Sequence, residues 1–158
     1  MTTPLILLLI LTLPYGLSWL VPGWRDPPTQ HRAASLGLGL TFLFTASGHF
    51  LQTAPMALML PPWVPARVPL VYATGVLEIV IALGFFWPAT RRWAAWSAAA
   101  VLVLFFPANI YAAFAQVPVG GHAWGPVYLL VRAPLQVFML WWIWRFVLRR
   151  DAATRVLA

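Results

Sequence analysis

The chain has 158 residues, 62% of them hydrophobic and only 8% charged, and its mean hydropathy is +0.83. Soluble domains carry about 25% charged residues, so this composition excludes an ordinary water-soluble domain and specifies an integral membrane protein. The net charge of +7 comes from arginines, most of which flank apolar segments; they form no basic stripe with exposed aromatics, which argues against nucleic acid, and the lack of cysteine excludes thiol chemistry.

Five apolar segments follow one another, at about residues 4–22, 33–53, 68–88, 93–116 and 124–148. Each has the length and apolar character of a helix crossing a hydrocarbon core. The first, opening "MTTPLILLL", has no basic stretch ahead of it and reads as a retained span rather than a cleaved signal. Pro14 inside it removes one backbone hydrogen bond and is expected to bend it. "PGWRDPPTQHR" breaks the chain before the second segment, which carries "TASGHFLQ" with His49. After "APMALMLPPWVPARVP" the third segment, "LVYATGVLEIVIALGFFWP", holds Glu78 near its middle. "PATRR" separates it from the fourth, which contains "FPANIYA" with Pro107 and Asn109. "VPVGGHAWG" precedes the fifth, with Arg132, Pro134 and Gln136. Breaks rich in Pro, Gly and charge mark turns, and backbone polar groups in lipid must be satisfied internally, so the spans are helices.

The expected fold is therefore an all-α membrane protein. A four-helix transmembrane bundle occupies residues 33–148, an additional N-terminal transmembrane helix and basic loop occupy 1–32, and 149–158 form a basic tail. With five spans, Arg25, Arg32, Arg91, Arg92, Arg145, Arg149, Arg150 and Arg155 fall on one side and Arg67 on the other. The positive-inside rule then places the N-terminus outside and the C-terminus in the cytoplasm, and the arginine-rich, lysine-free composition suggests a bacterial inner membrane. Trp141, Trp142 and Trp144 beside the basic tail read as an interface anchor.

Four of the helices place a polar side chain in the same outer half. At about 1.5 Å per helical residue, Glu78 lies roughly 14 Å deep, Arg132 roughly 12 Å, Asn109 about 10 Å and His49 about 6 Å. Thr74, Gln116 and Gln136 share helix faces with Glu78, Asn109 and Arg132. An ionised residue at a span centre costs about 2.5–3.5 kcal/mol. A Glu78–Arg132 pair is the economical arrangement, with Asn109, Gln136 and Tyr72 as further partners. Such a pair serves either helix register or a ligand or proton relay. His49 fits a proton donor, an axial ligand or an interfacial anchor. Met56 and Met59 with His49 and His122 would be soft donors for copper or haem, although such methionines also simply pack in lipid. No nucleotide-binding loop, zinc-protease or serine-hydrolase motif occurs, and the spans hold a single acidic residue.

"GHF", the "PM…PPWVP" loop, "LVYATGVLEI…ALGFFWPATRRWAAW", "FPANIY" and "VRAPLQ…WW" together resemble the DoxX-like family of small bacterial membrane proteins over roughly residues 33–146. The resemblance implies a four-helix membrane bundle and points to His49, Glu78, Asn109, Arg132 and Gln136. It also implies a redox-associated role, since the family includes a subunit of a thiosulfate:quinone oxidoreductase. The helix at 4–22 departs from the family pattern. The leading expectation is a membrane protein that binds a small apolar ligand, a quinone, in an outer-half pocket, beside a membrane or redox partner protein. The alternative is a non-catalytic assembly or accessory subunit whose polar cluster is structural.

Overall fold

The computed structural model describes residues 2–149, and its regular elements there are all helices. α1 runs Thr2–Leu20, α2 Pro27–Leu51, the short α3 Thr53–Ala57, α4 Arg67–Phe86 and α5 Arg91–Phe114. A 3₁₀ segment, His122–Tyr128, leads into α6, Leu129–Ile143, which ends in a π-helical turn, Trp144–Leu148. Five stretches are long and apolar enough to cross a membrane: α1, α2, α4, α5 and His122–Leu148. Arg150 and Arg155, with nearly all of the expected basic tail, lie outside the described residues.

α2 starts well before residue 33, and the reason is chemical. Asp26 caps it, its side chain accepting from the Thr29 N–H at 2.9 Å, and hydrogen bonding by the Thr29 side chain, then by its backbone, holds the exposed carboxyl below its ordinary pKa. Proline in a first helical turn forfeits only an amide that has no intrahelical partner anyway. "DPP" is thus a helix start, although its prolines look like a break. Pro14, Pro107 and Pro134 sit inside α1, α5 and α6 without ending them.

The most extensive helix contact is between α2 and α4, followed by α1 on α2. Both depend on glycine. A Cβ at Gly37 would collide with the Leu11 carbonyl, and one at Gly39 with the Phe86 ring. Small residues let membrane helices approach closely, which is how they gain packing energy where lipid competes equally for apolar surface. The apolar core includes Leu11, Leu38, Phe42, Ala82, Phe85, Ala98 and Ile143. It fills the half of the bundle holding the N-terminal parts of α2 and α5 and the C-terminal parts of α4 and α6. Leu104, Leu130 and Val137 point outward and are largely exposed, as expected of surfaces that meet lipid.

Trp142 is not an interface anchor. It is buried, donates its indole N–H to the Ala34 carbonyl at 3.4 Å, and meets Tyr15 edge-on with ring centroids 5.4 Å apart. It therefore ties α6 to α1 and α2. Trp141 and Trp144 remain half-exposed, as an anchor requires.

Candidate functional site

The other half of the bundle is polar inside. His49 near the end of α2, Glu78 in α4, Asn109 in α5 and Gln136 in α6 are all buried, together with His122 of the 3₁₀ segment. Arg132, one helical turn before Gln136, is half-buried, with its Nε fully enclosed. The structure thus collects five of the six residues singled out from the sequence. The sixth, Tyr72, does not belong: it is 44% exposed and packs on Phe50 with ring centroids 5.9 Å apart.

The pairing differs from the expected one. Glu78 does not bond Arg132; its Oε1 lies 3.6 Å from His49 Nε2. The Glu78 Oε2 and Arg132 Nε atoms are buried without a hydrogen-bond partner. The cause is the close α2–α4 approach, which brings His49 over α4. There His49 Nδ1 donates to the Val71 carbonyl at 2.8 Å and lies 3.1 Å from Thr74 Oγ1. Gly75 makes the approach possible, because a Cβ there would stand 2.7 Å from His49 Cβ.

Asn109 forms a second pair. Its Nδ2 donates to the Phe105 carbonyl at 2.8 Å, and its Oδ1 lies 3.2 Å from His122 Nε2. His122 Nδ1 lies 2.8 Å from the Val119 carbonyl. Tyr128, buried, meets the His122 ring edge-on at 4.8 Å between centroids. Gly121, at φ 109°, has the Tyr128 ring where a side chain would stand. Arg132 is within Coulombic reach of Glu78, His122 and Tyr128.

Sequence reasoning missed Gly75 and Tyr128 and gave His122 only a metal role. A lone Gly in an apolar run carries no signal of what it faces, and "HAWGPVY" reads as a loop because its Gly and Pro hide a buried 3₁₀ turn. The ring nitrogens of His49 and His122 already face protein partners, which leaves none directed at a metal. Among the described residues no three of His, Cys, Asp and Glu converge. Gln136 Oε1 is buried without a partner. An open apolar groove of about 540 Å³ lies elsewhere, between α1 and Trp142, with Leu9, Leu13 and Leu17 among its walls.

Fold and site together define a class: a five-span helical bundle, apolar in one half and closed around two histidine-centred polar pairs and an arginine in the other. Residues 38–147 match the family described as a domain of unknown function, DUF8561, and the chain belongs to that family. No curated protein and no solved structure matches it.

Proposed function

We propose that this is a redox-associated, multi-pass protein of the bacterial inner membrane, N-terminus outside, that binds a small, largely apolar ligand of the quinone class at the polar end of the bundle. The observation that carries this reading is the set of enclosed, unanswered polar atoms around Arg132: Glu78 Oε2, Arg132 Nε and Gln136 Oε1. Buried polar groups are normally hydrogen-bonded, and in a membrane interior such atoms mark functional positions. Convergent polar groups in apolar surroundings are the usual make-up of a small-molecule site. The likeness of "GHF", "FPANIY" and "VRAPLQ" to the DoxX-like family supports the redox association and a partner protein in the same membrane.

The accessory-subunit reading has its own support, because His49–Glu78 and Asn109–His122 are internally matched pairs that would hold helix register without any ligand. Gentle detergent purification followed by mass spectrometry and optical spectroscopy separates the two. A quinone-type molecule should accompany the wild-type protein and be lost from Arg132→Gln. Recovery of nothing but bulk phospholipid from both would leave the structural reading standing.

A further inference from the structure

The groove between α1 and Trp142 lies at the basic end of the bundle, away from the polar cluster, and is independent of the ligand reading above. Its volume is about 540 Å³, it is open to the side, and Leu9, Leu13, Leu17 and Leu20 line it with Gly16 and Trp142. α1 precedes the residues matched to the family, 38–147, and Trp142 falls within them, so the added helix is what creates the groove. Gly16 keeps it open, since a Cβ there would meet nothing within 4 Å. Two polar groups of the wall are spent internally: Thr12 Oγ1 donates to the Leu8 carbonyl at 2.7 Å, and the Trp142 indole N–H to the Ala34 carbonyl. The surface left is mainly carbon and suits an apolar chain. From Leu9 to Leu20 the wall runs about 16 Å at ~1.5 Å per helical residue. One leaflet of a hydrocarbon core ~30 Å thick is about as deep.

Charge at the groove's mouth says what kind of chain enters. Arg25 Nε donates at 2.9 Å to the Trp19 carbonyl, which belongs to the peptide bond leading into Leu20 of the wall. That bond leaves the outer nitrogens of the guanidinium fork for another acceptor. The Arg145 guanidinium lies over the Phe146 ring, 5.4 Å from its centroid. That ring packs on two wall residues, Tyr15 at 4.8 Å and Trp142 at 4.6 Å between centroids. Each guanidinium is thus one contact removed from the groove. Asp26, the one carboxylate at this end among the described residues, already accepts from the Thr29 N–H. A second copy inserted in the same sense would bring another Arg25 and Arg145 to the mouth, and like charges oppose that. Guanidinium forks instead match phosphate. We infer that the groove binds one acyl chain of an anionic phospholipid from the leaflet at the basic end, its phosphate answered by Arg25 and Arg145.

The test is native mass spectrometry of the full chain in mild detergent, given equal amounts of phosphatidylglycerol and phosphatidylcholine with identical acyl chains. The anionic lipid should be retained roughly 25-fold over the zwitterionic one at low salt, about fivefold for each arginine. High salt should shrink that preference, because it screens exposed charges. Arg25→Gln and Arg145→Gln should each lower the preference about fivefold. Gly16→Leu puts a side chain into the groove and should reduce retention of both lipids with little change in melting. Equal retention of the two lipids by the wild-type chain overturns the inference, as does a preference that neither Gln variant alters. Undiminished retention in Gly16→Leu removes the acyl chain from the groove. A dimeric mass that becomes monomeric in Gly16→Leu gives the groove to a second copy and overturns the inference as well. Should the variants not fold, the two lipids on the wild-type chain decide the matter alone.

Discussion

His49 and Glu78 face each other across the α2–α4 contact, Nε2 3.6 Å from Oε1, with the imidazole steadied from behind by the Val71 carbonyl. The partner matters for how a carboxylate survives in an apolar span. An arginine partner would be a permanent cation, whereas the imidazole of His49 forms an ion pair with Glu78 only when it is protonated. A pair that can become neutral avoids much of the cost of burying two charges. Arg132 is left as the cation of the cluster, near Glu78 but not bonded to it.

Gly75→Ala should therefore damage more than its one added methyl suggests. The new Cβ would stand 2.7 Å from His49 Cβ and 3.0 Å from the Phe50 ring, and the first of these atoms is tied to the α2 backbone. Overpacking of this kind costs about 1–3 kcal/mol. Thermal melts in detergent should show a lower midpoint for Gly75→Ala and little change for Gly16→Ala, where a Cβ meets open space. Equal melting of the two would mean that α2 and α4 are less closely packed.

Double-mutant cycles resolve which residue answers Glu78. Glu78→Gln combined with His49→Gln should deviate from additivity by about 0.5–3 kcal/mol, the coupling typical of residues in contact. Glu78→Gln combined with Arg132→Gln should couple less, because only Coulombic reach joins them. The reverse ranking would restore the Glu78–Arg132 pair.

The division of the bundle was legible in the sequence, and the wiring was not. Depth counted along each span placed His49, Glu78, Asn109 and Arg132 at one end, because helical rise fixes height almost independently of packing. Which of them touch depends on helix rotation and spacing, and those are set by residues with no polar signal, above all Gly75. Height matching therefore favoured Glu78 with Arg132, while the close approach of α2 gave Glu78 to His49. Tyr72 is expected as a further partner of the Glu78–Arg132 pair, and its position on the outward face of α4 removes it. The helix at the N-terminus was recognised from hydropathy alone, but its seat on Gly37 and Trp142 was not.

Asn109→Leu removes the second pair at nearly constant volume. It would leave His122 Nε2 enclosed without the Asn109 oxygen now 3.2 Å away, at a cost of about 1–3 kcal/mol for one stranded buried group. Among the described residues the other hydrogen-bond partner of the His122 ring is the Val119 carbonyl, so amide exchange over residues 119–128 should rise with the loss of stability. Unchanged melting and exchange would show that Asn109 and His122 do not depend on each other.

Leu60 precedes α4 and Thr90 follows it, so a helix that crosses the membrane must put them on opposite faces. Thr90 lies at the basic end, where Arg91 Nε also donates to the Phe85 carbonyl at 3.2 Å and Arg25 Nε to Trp19 at 2.9 Å. Those bonds satisfy carbonyls at helix ends but leave the positive charges in place, and the charges oppose translocation. Because the chain has no cysteine, single cysteines at positions 3, 60, 90 and 156 can be read without background. In intact cells an impermeant thiol reagent should label positions 3 and 60 and reach 90 and 156 only after the membrane is opened. Labelling at 90 and 156 from outside would invert the orientation and put the His49–Glu78 end toward the cytoplasm. Labelling of 60 and 90 from the same side would mean that α4 does not span.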